Sequence, residues 1–166
     1  MRRVARLMFA GVIALMPVTL TGCGFVPLYA QQGLTANMAQ IGIEVPQTRT
    51  GYFLEQNLRN GFGSDDTAQK RYMLTVKMTE KRYGVGFRVD DTSTRSELNS
   101  SVTYVLTDAA THKVMYQNSF VETVSYDTAP SPLTGVIAQQ DAQERVASAI
   151  SRKIQTELAV YFHEKK

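Results

Sequence analysis

The chain has 166 residues, 43% of them hydrophobic and 20% charged, with a formal charge of +3 and one cysteine. That length fits one domain with a normal core, and a single cysteine excludes a disulfide within the chain. Arg2, Arg3 and Arg6, with no acid among residues 1–22, account for the whole positive charge. The rest is neutral overall, so charge gives no reason to expect a nucleic acid partner.

The three arginines precede an apolar run, Leu7–Leu20, which is short of the roughly 20 apolar residues that span a bilayer and fits a secretory signal. Small residues then lead to Cys23 in Leu20-Thr21-Gly22-Cys23. This tetrad resembles the lipobox of bacterial lipoproteins. The resemblance implies cleavage before Cys23, a diacylglyceryl group on its sulfur and an acylated amine. An ordinary signal peptide with a free or buried cysteine is the alternative, but an unpaired thiol is a liability in an oxidising compartment. Each buried methylene contributes about 0.8 kcal/mol, so two or more chains hold a protein at a membrane without a transmembrane helix. Gly24, where an aspartate would imply inner-membrane retention, points by resemblance to Gram-negative lipoprotein sorting towards the outer membrane.

Residues 24–37 contain Pro27 and Gly33 and show no period. The organisation expected is therefore a signal peptide over 1–22, a lipidated tether over 23–37 and one domain over 38–166. Ile41, Ile43 and Val45 alternate with Gly42 and Glu44 before Pro46, a first strand. Thr48 or Thr50 can cap a helix with Leu54, Leu58 and Phe62 on one face, stopped by Gly61 and Gly63. Tyr72, Leu74, Val76 and Met78 then alternate with Arg71, Thr75, Lys77, Thr79 and Lys81, a strand with one dry face and one basic wet face. Gly84 and Gly86 suit a bulge on its way to Phe87 and Val89, and Asp90-Asp91-Thr92-Ser93 is turn chemistry. Leu98, Val102, Tyr104 and Leu106 mark a third strand. Val114, Tyr116, Phe120, Val124 and Tyr126 mark a fourth, whose far end Glu122 predicts to be exposed or bulged.

Ala129-Pro130-Ser131-Pro132 breaks the pattern. A long amphipathic helix follows, roughly 138–162, with Val146, Ile150, Ile154 and Leu158 in a row of fours widened by Ala142, Ala149, Tyr161 and Phe162. The order β-α-β-β-β-α predicts an α/β (α+β) sandwich: a four-stranded mixed sheet with two helices on one face. The first two strands should be parallel and the others an antiparallel meander.

Catalytic constellations are missing from the sequence. His112 and His163 have no metal-ligand partner at helical spacing, Asp90-Asp91 lacks the spacing of a calcium loop, and no nucleophile elbow occurs. No enzyme activity, metal or cofactor is expected beyond the lipid on Cys23. Residues 70–95 carry an excess of four positive charges and residues 97–144 an excess of five negative ones, a segregation that suits either an anionic partner or a solvated strand face.

Cys23-Gly24-Phe25-Val26-Pro27-Leu28-Tyr29 is similar to the mature N-terminus of alphaproteobacterial LPS-assembly lipoproteins, the LptE family. The likeness continues through Leu58-Arg59-Asn60, Thr94-Arg95, Tyr104-Val105-Leu106-Thr107-Asp108 and Asp141-Ala142-Gln143-Glu144-Arg145. It implies an outer-membrane, lipid-anchored protein on the periplasmic side. Such a protein plugs the LptD β-barrel, supports its assembly and assists lipopolysaccharide delivery to the outer leaflet. The family's lipopolysaccharide-contacting arginine, in a Phe-Arg pair, falls on Phe87-Arg88, with Lys77, Lys81, Arg82 and Arg95 as neighbours that pair with phosphate and carboxylate groups. A second family position, a lysine ahead of the last helix, is Gln139 or Gln140 here. Tyr29, Tyr83 and Phe87, aromatic outside the core rows, are candidate barrel contacts. Two alternatives are an auxiliary lipoprotein of an ABC-type lipid transporter and a peptidoglycan-associated structural lipoprotein.

Overall fold

The structure, a computed structural model, describes residues 34–64, 69–87, 93–128 and 131–165. The expected signal peptide, Cys23, Tyr29 and the expected turn at Asp90-Asp91 fall outside them. Seven elements follow in order among the described residues: α1 (Leu34–Ala39), β1 (Ile41–Glu44), α2 (Arg49–Phe62), β2 (Tyr72–Phe87), β3 (Ser93–Asp108), β4 (Val114–Asp127) and α3 (Pro132–Glu164). The sheet order is β1-β2-β3-β4, with β1 parallel to β2 and the other pairs antiparallel. This is the expected two-layer sandwich, with an added helix ahead of β1.

Alternation along the strands separates the two faces. Tyr72, Leu74 and Val76 of β2 and Leu98, Val102, Tyr104 and Leu106 of β3 are buried towards the helices. Their odd-numbered neighbours, Lys77, Thr79 and Lys81 against Asn99, Ser101 and Thr103, form a polar face with no second layer among the described residues. From the helix layer, Val146, Ile150, Ile154 and Leu158 of α3, and Leu54, Leu58 and Phe62 of α2, are buried. Fully burying each side chain of this size contributes about 1.5–3 kcal/mol.

Helix α2 starts where Thr48 Oγ1 accepts the N–H of Gly51 at 3.0 Å. It runs through Gly61, expected to help stop it, and ends at Gly63 alone, left-handed at φ 61°, where the N–H groups of Gly63 and Ser64 return to the carbonyls of Asn60 and Arg59. Glycine is favoured there because a side chain is strained at positive φ. Against α2, α3 presents Ala147, Ser151 and Ala159, all buried. Gln155, in the same row of fours, donates to Asn57 O at 3.1 Å and to Ser151 Oγ at 2.7 Å. A Cβ on Gly61 would meet that glutamine's amide at about 2.1 Å, so glycine leaves room for Gln155 to make these bonds. Ala149, expected to widen the apolar row of α3, is only half-buried, and Ala147 lies on the buried side instead.

At the C-terminal end of α3, rings interlock: Tyr72 with Phe162 at 5.2 Å, Phe162 with Tyr161 at 5.4 Å and Tyr161 with Tyr116 at 5.2 Å between centroids. Beside them the Tyr104 hydroxyl donates to Glu157 Oε2, which also accepts from Asn118 Nδ2 at 2.8 Å. Burial, then the carboxylate, pushes the Tyr104 phenol well above its ordinary range. The β3–β4 connection is closed by Asp108, whose Oδ1 accepts from Ala110 N, Thr111 N and Thr111 Oγ1. Those bonds, Thr111's first, hold its carboxyl below the usual range.

Four expectations need correction. Residues 34–39, the first four of them assigned to the tether, form α1, whose Met38 is 2% exposed in the core. Helix α3 starts six residues early, because Pro132 occupies its first turn, where a missing N–H costs nothing. Glu122 sits in an unbroken ladder opposite Ser100 and Tyr126 beyond it is buried; the register shift of β4 lies near Met115 instead. The β2–β3 ladder keeps one register from Tyr72 to Phe87, so no bulge shifts it at Gly84 or Gly86. Gly86 instead takes φ 70°, with its carbonyl bonded by Thr94 Oγ1 at 2.8 Å.

Candidate functional site at the distal hairpin

The β2–β3 hairpin and the first turns of α3 meet at one end of the sandwich. Between them lies a groove of about 570 Å³, lined by Arg82, Ser96, Tyr126, Thr128, Val136 and Gln139 among others. Ser96 and Tyr126 are buried at its floor, and the Ser96 and Thr128 hydroxyls are 3.1 Å apart. Arg82 donates from Nη1 to Gln139 Oε1 at 2.9 Å, which draws its guanidinium against α3. One helical turn away, Leu133, Val136 and Ile137 are 70%, 51% and 57% exposed, and no α3 residue before Ala142 is buried. Val136 lines the groove with Arg82, and Leu133 and Ile137 carry this i, i+3, i+4 apolar stripe around the helix, away from the groove and into solvent. A guanidinium fork recognises phosphate or carboxylate and an apolar stripe takes hydrocarbon, so the end has the chemistry to hold an anionic amphiphile.

The sequence-derived candidates separate onto two faces. Lys77 and Lys81 are exposed on the open sheet face, four residues apart along β2, and neither has an ion-pair partner among the described residues. Arg95 shares that face, near the hairpin end, with its Nε 3.7 Å from Asp127 Oδ1. Both partners of that pair are well exposed, so its contribution to stability is small. A shallow hollow of about 520 Å³ lies around Arg95, Gly86, Thr94 and Asp127. Arg82 points the other way, under α3. Arg88 lies outside the described residues, as does the side chain of Phe87; Tyr83 is 48% exposed on the open face.

Gln139 and Gln140 lie within α3 rather than ahead of it. Both accept from arginines, Gln139 from Arg82 and Gln140 from Arg49 Nη2 at 3.3 Å. The Arg82–Gln139 contact and the stripe of Leu133, Val136 and Ile137 are the parts of this end that sequence reasoning missed. The i, i+3, i+4 spacing of the stripe was the available signal, hidden in a stretch whose prolines suggest a helix breaker. Among the described residues, no helix is long and apolar enough to cross a membrane.

No model of a known protein family matches the chain, and no curated protein is significantly similar to it. Among solved structures, rare lipoprotein B from Shewanella oneidensis superimposes with a TM-score of 0.58, covering 75% of this chain and 96% of that one. At 10% identity this shows a common fold. A protein from Caulobacter crescentus CB15 described as a lipoprotein is 32% identical, with a TM-score of 0.70 over 81% of this chain and 98% of that one. Identity at that level over almost the whole of the other protein, on the same fold, means that the chain belongs to the family of this Caulobacter lipoprotein.

Proposed function

We propose that the chain is an LptE-type lipoprotein, anchored through acyl groups on Cys23 to the periplasmic side of the outer membrane. There it plugs an LptD-type β-barrel, supports that barrel's assembly and assists lipopolysaccharide delivery, catalysing no covalent step. The observation that carries the reading is the distal end of the hairpin, where Arg82 shares a groove with Val136, and Leu133 and Ile137 extend the exposed apolar surface along the same helix. Lipid A offers the matching pair, phosphates and acyl chains. Two further features support it: the fold shared with rare lipoprotein B, an LptE-like fold, and a polar sheet face suited to a polar barrel lumen.

Lipopolysaccharide binding by the purified lipidated protein at physiological salt tests this. Arg88→Glu and Arg82→Glu should each weaken binding while barrel association persists. Binding unchanged in both variants removes the lipopolysaccharide role. Globomycin should lead to accumulation of an unprocessed precursor; a Cys23→Ser chain that matures normally removes the anchor.

A further inference from the structure

Strand β2 is much longer than the strand that covers its outer edge. β1 pairs only with Tyr72–Thr75, from Ile41 to Glu44, and the chain then leaves the sheet at Val45-Pro46. From Val76 to Phe87 no strand among the described residues pairs with that edge. The direction of its backbone groups can be read from neighbouring bonds. The N–H of Tyr72 donates to Gln40 O, on the β1 side, whereas Arg71 O accepts from Ala109 N, on the β3 side. The β2–β3 register never shifts, so the alternation persists. Even-numbered residues Val76, Met78, Glu80, Arg82 and Gly84 therefore aim their N–H and C=O groups away from β3, at the open edge. Where β1 departs there is a notch of about 340 Å³, lined by Glu44, Val45, Pro46 and residues 75–78.

We infer that this edge receives a strand from the partner polypeptide, an extended segment bearing acidic side chains, laid along β2 in the line that β1 vacates. The inference rests on the barrel-plug reading, and the barrel is the polypeptide that would supply the strand. The charge requirement comes from the open face. Lys77 and Lys81 are exposed there without ion-pair partners among the described residues. β1 already displays the pattern on the adjacent pair, where Glu44 Oε2 accepts from Thr75 Oγ1 across the same edge at 3.0 Å. An added strand with acids opposite Lys77 and Lys81 extends that cross-strand pairing by two and by six residues. The same lysines discourage indiscriminate strand addition, which makes the edge selective.

Glu80 provides the test, because its N–H faces the open edge and proline there leaves the β3 ladder intact. Full-length lipidated chains carrying Glu80→Pro, Glu80→Ala or Lys77→Glu with Lys81→Glu are expressed with the LptD-type barrel, and barrel recovery is compared with wild type. Glu80→Ala should recover the barrel as wild type does. Glu80→Pro and the double lysine variant should each lower recovery at least about tenfold, with melting temperatures kept within a few degrees. Should Glu80→Pro fail to fold, the double lysine variant decides alone. Equal recovery by all variants overturns strand addition while leaving the plug reading intact, and wild type that recovers no barrel overturns the plug reading itself. Normal barrel recovery with a dimer lost in Glu80→Pro would assign the edge to a second copy and overturn the proposal.

Discussion

Replacing Tyr104 with phenylalanine removes one oxygen from a ring that is 0% exposed and leaves its packing against Tyr116 and Phe120 in place. What is lost is the hydroxyl's bond to Glu157, whose Oε2 then keeps only Asn118 Nδ2 at 2.8 Å. A hydrogen bond to a charged group contributes about 1.5–3 kcal/mol net, so Tyr104→Phe should cost about 2 kcal/mol. For a domain of this size the melting temperature should fall by roughly 6–10 °C. The raised phenol adds a second signature. In the folded chain Tyr104 keeps its proton above the ordinary tyrosine value near pH 10, whereas the unfolded chain loses it there. Its contribution is complete below pH 10 and falls by about 1.4 kcal/mol per pH unit above it. Phenylalanine has no such limb, so the gap between wild type and variant should shrink above pH 10. Urea titrations at pH 8, 10 and 11 read both quantities. A variant as stable as wild type at pH 8, or a gap that stays constant to pH 11, would refute the coupling of Tyr104 to Glu157.

Two glycines should respond in opposite directions to the same methyl group. A Cβ on Gly51 would lie 1.9 Å from the carbonyl oxygen of Pro46, a backbone atom with nowhere to swing. Gly51→Ala should therefore destabilise by about 2 kcal/mol or more despite a gain of about 1 kcal/mol in helix propensity; a thermal melt at or above wild type would contradict the packing of α2 on the β1 turn. At Gly135, in the early turns of α3, an added Cβ would have nothing within 4 Å. Gly135→Ala should raise stability by about 0.5–1 kcal/mol, and no gain in helicity or melting temperature would show that α3 begins later in solution.

Where one face of an element is buried, the sequence made it readable. Alternation in β2 and β3 and the row of fours in α3 each follow from burial on one side, and all four row residues are fully buried. Helix α1 is six residues long and too short to show a period, so residues 34–37 passed for tether. The first turns of α3 carry apolar spacing at Leu133, Val136 and Ile137, but it is short, and two nearby prolines suggest a stop rather than a start. Among the candidate cations, grouping Arg82 with Lys77 and Lys81 treated sequence proximity as spatial proximity. Strand parity alone assigns Arg82 to the helix side, where Gln139 receives it. The pairing itself, 57 residues apart, depends on how α3 crosses the hairpin and has no signature in either segment.

The open sheet face gives the most direct test of the central claim. A photo-crosslinking amino acid at Thr79, exposed between Lys77 and Lys81, can be activated in living cells and its adduct identified by mass spectrometry. A barrel plug should yield one dominant adduct, with the LptD-type outer-membrane barrel. An adduct with an inner-membrane transport component, or with no outer-membrane barrel at all, would contradict the account.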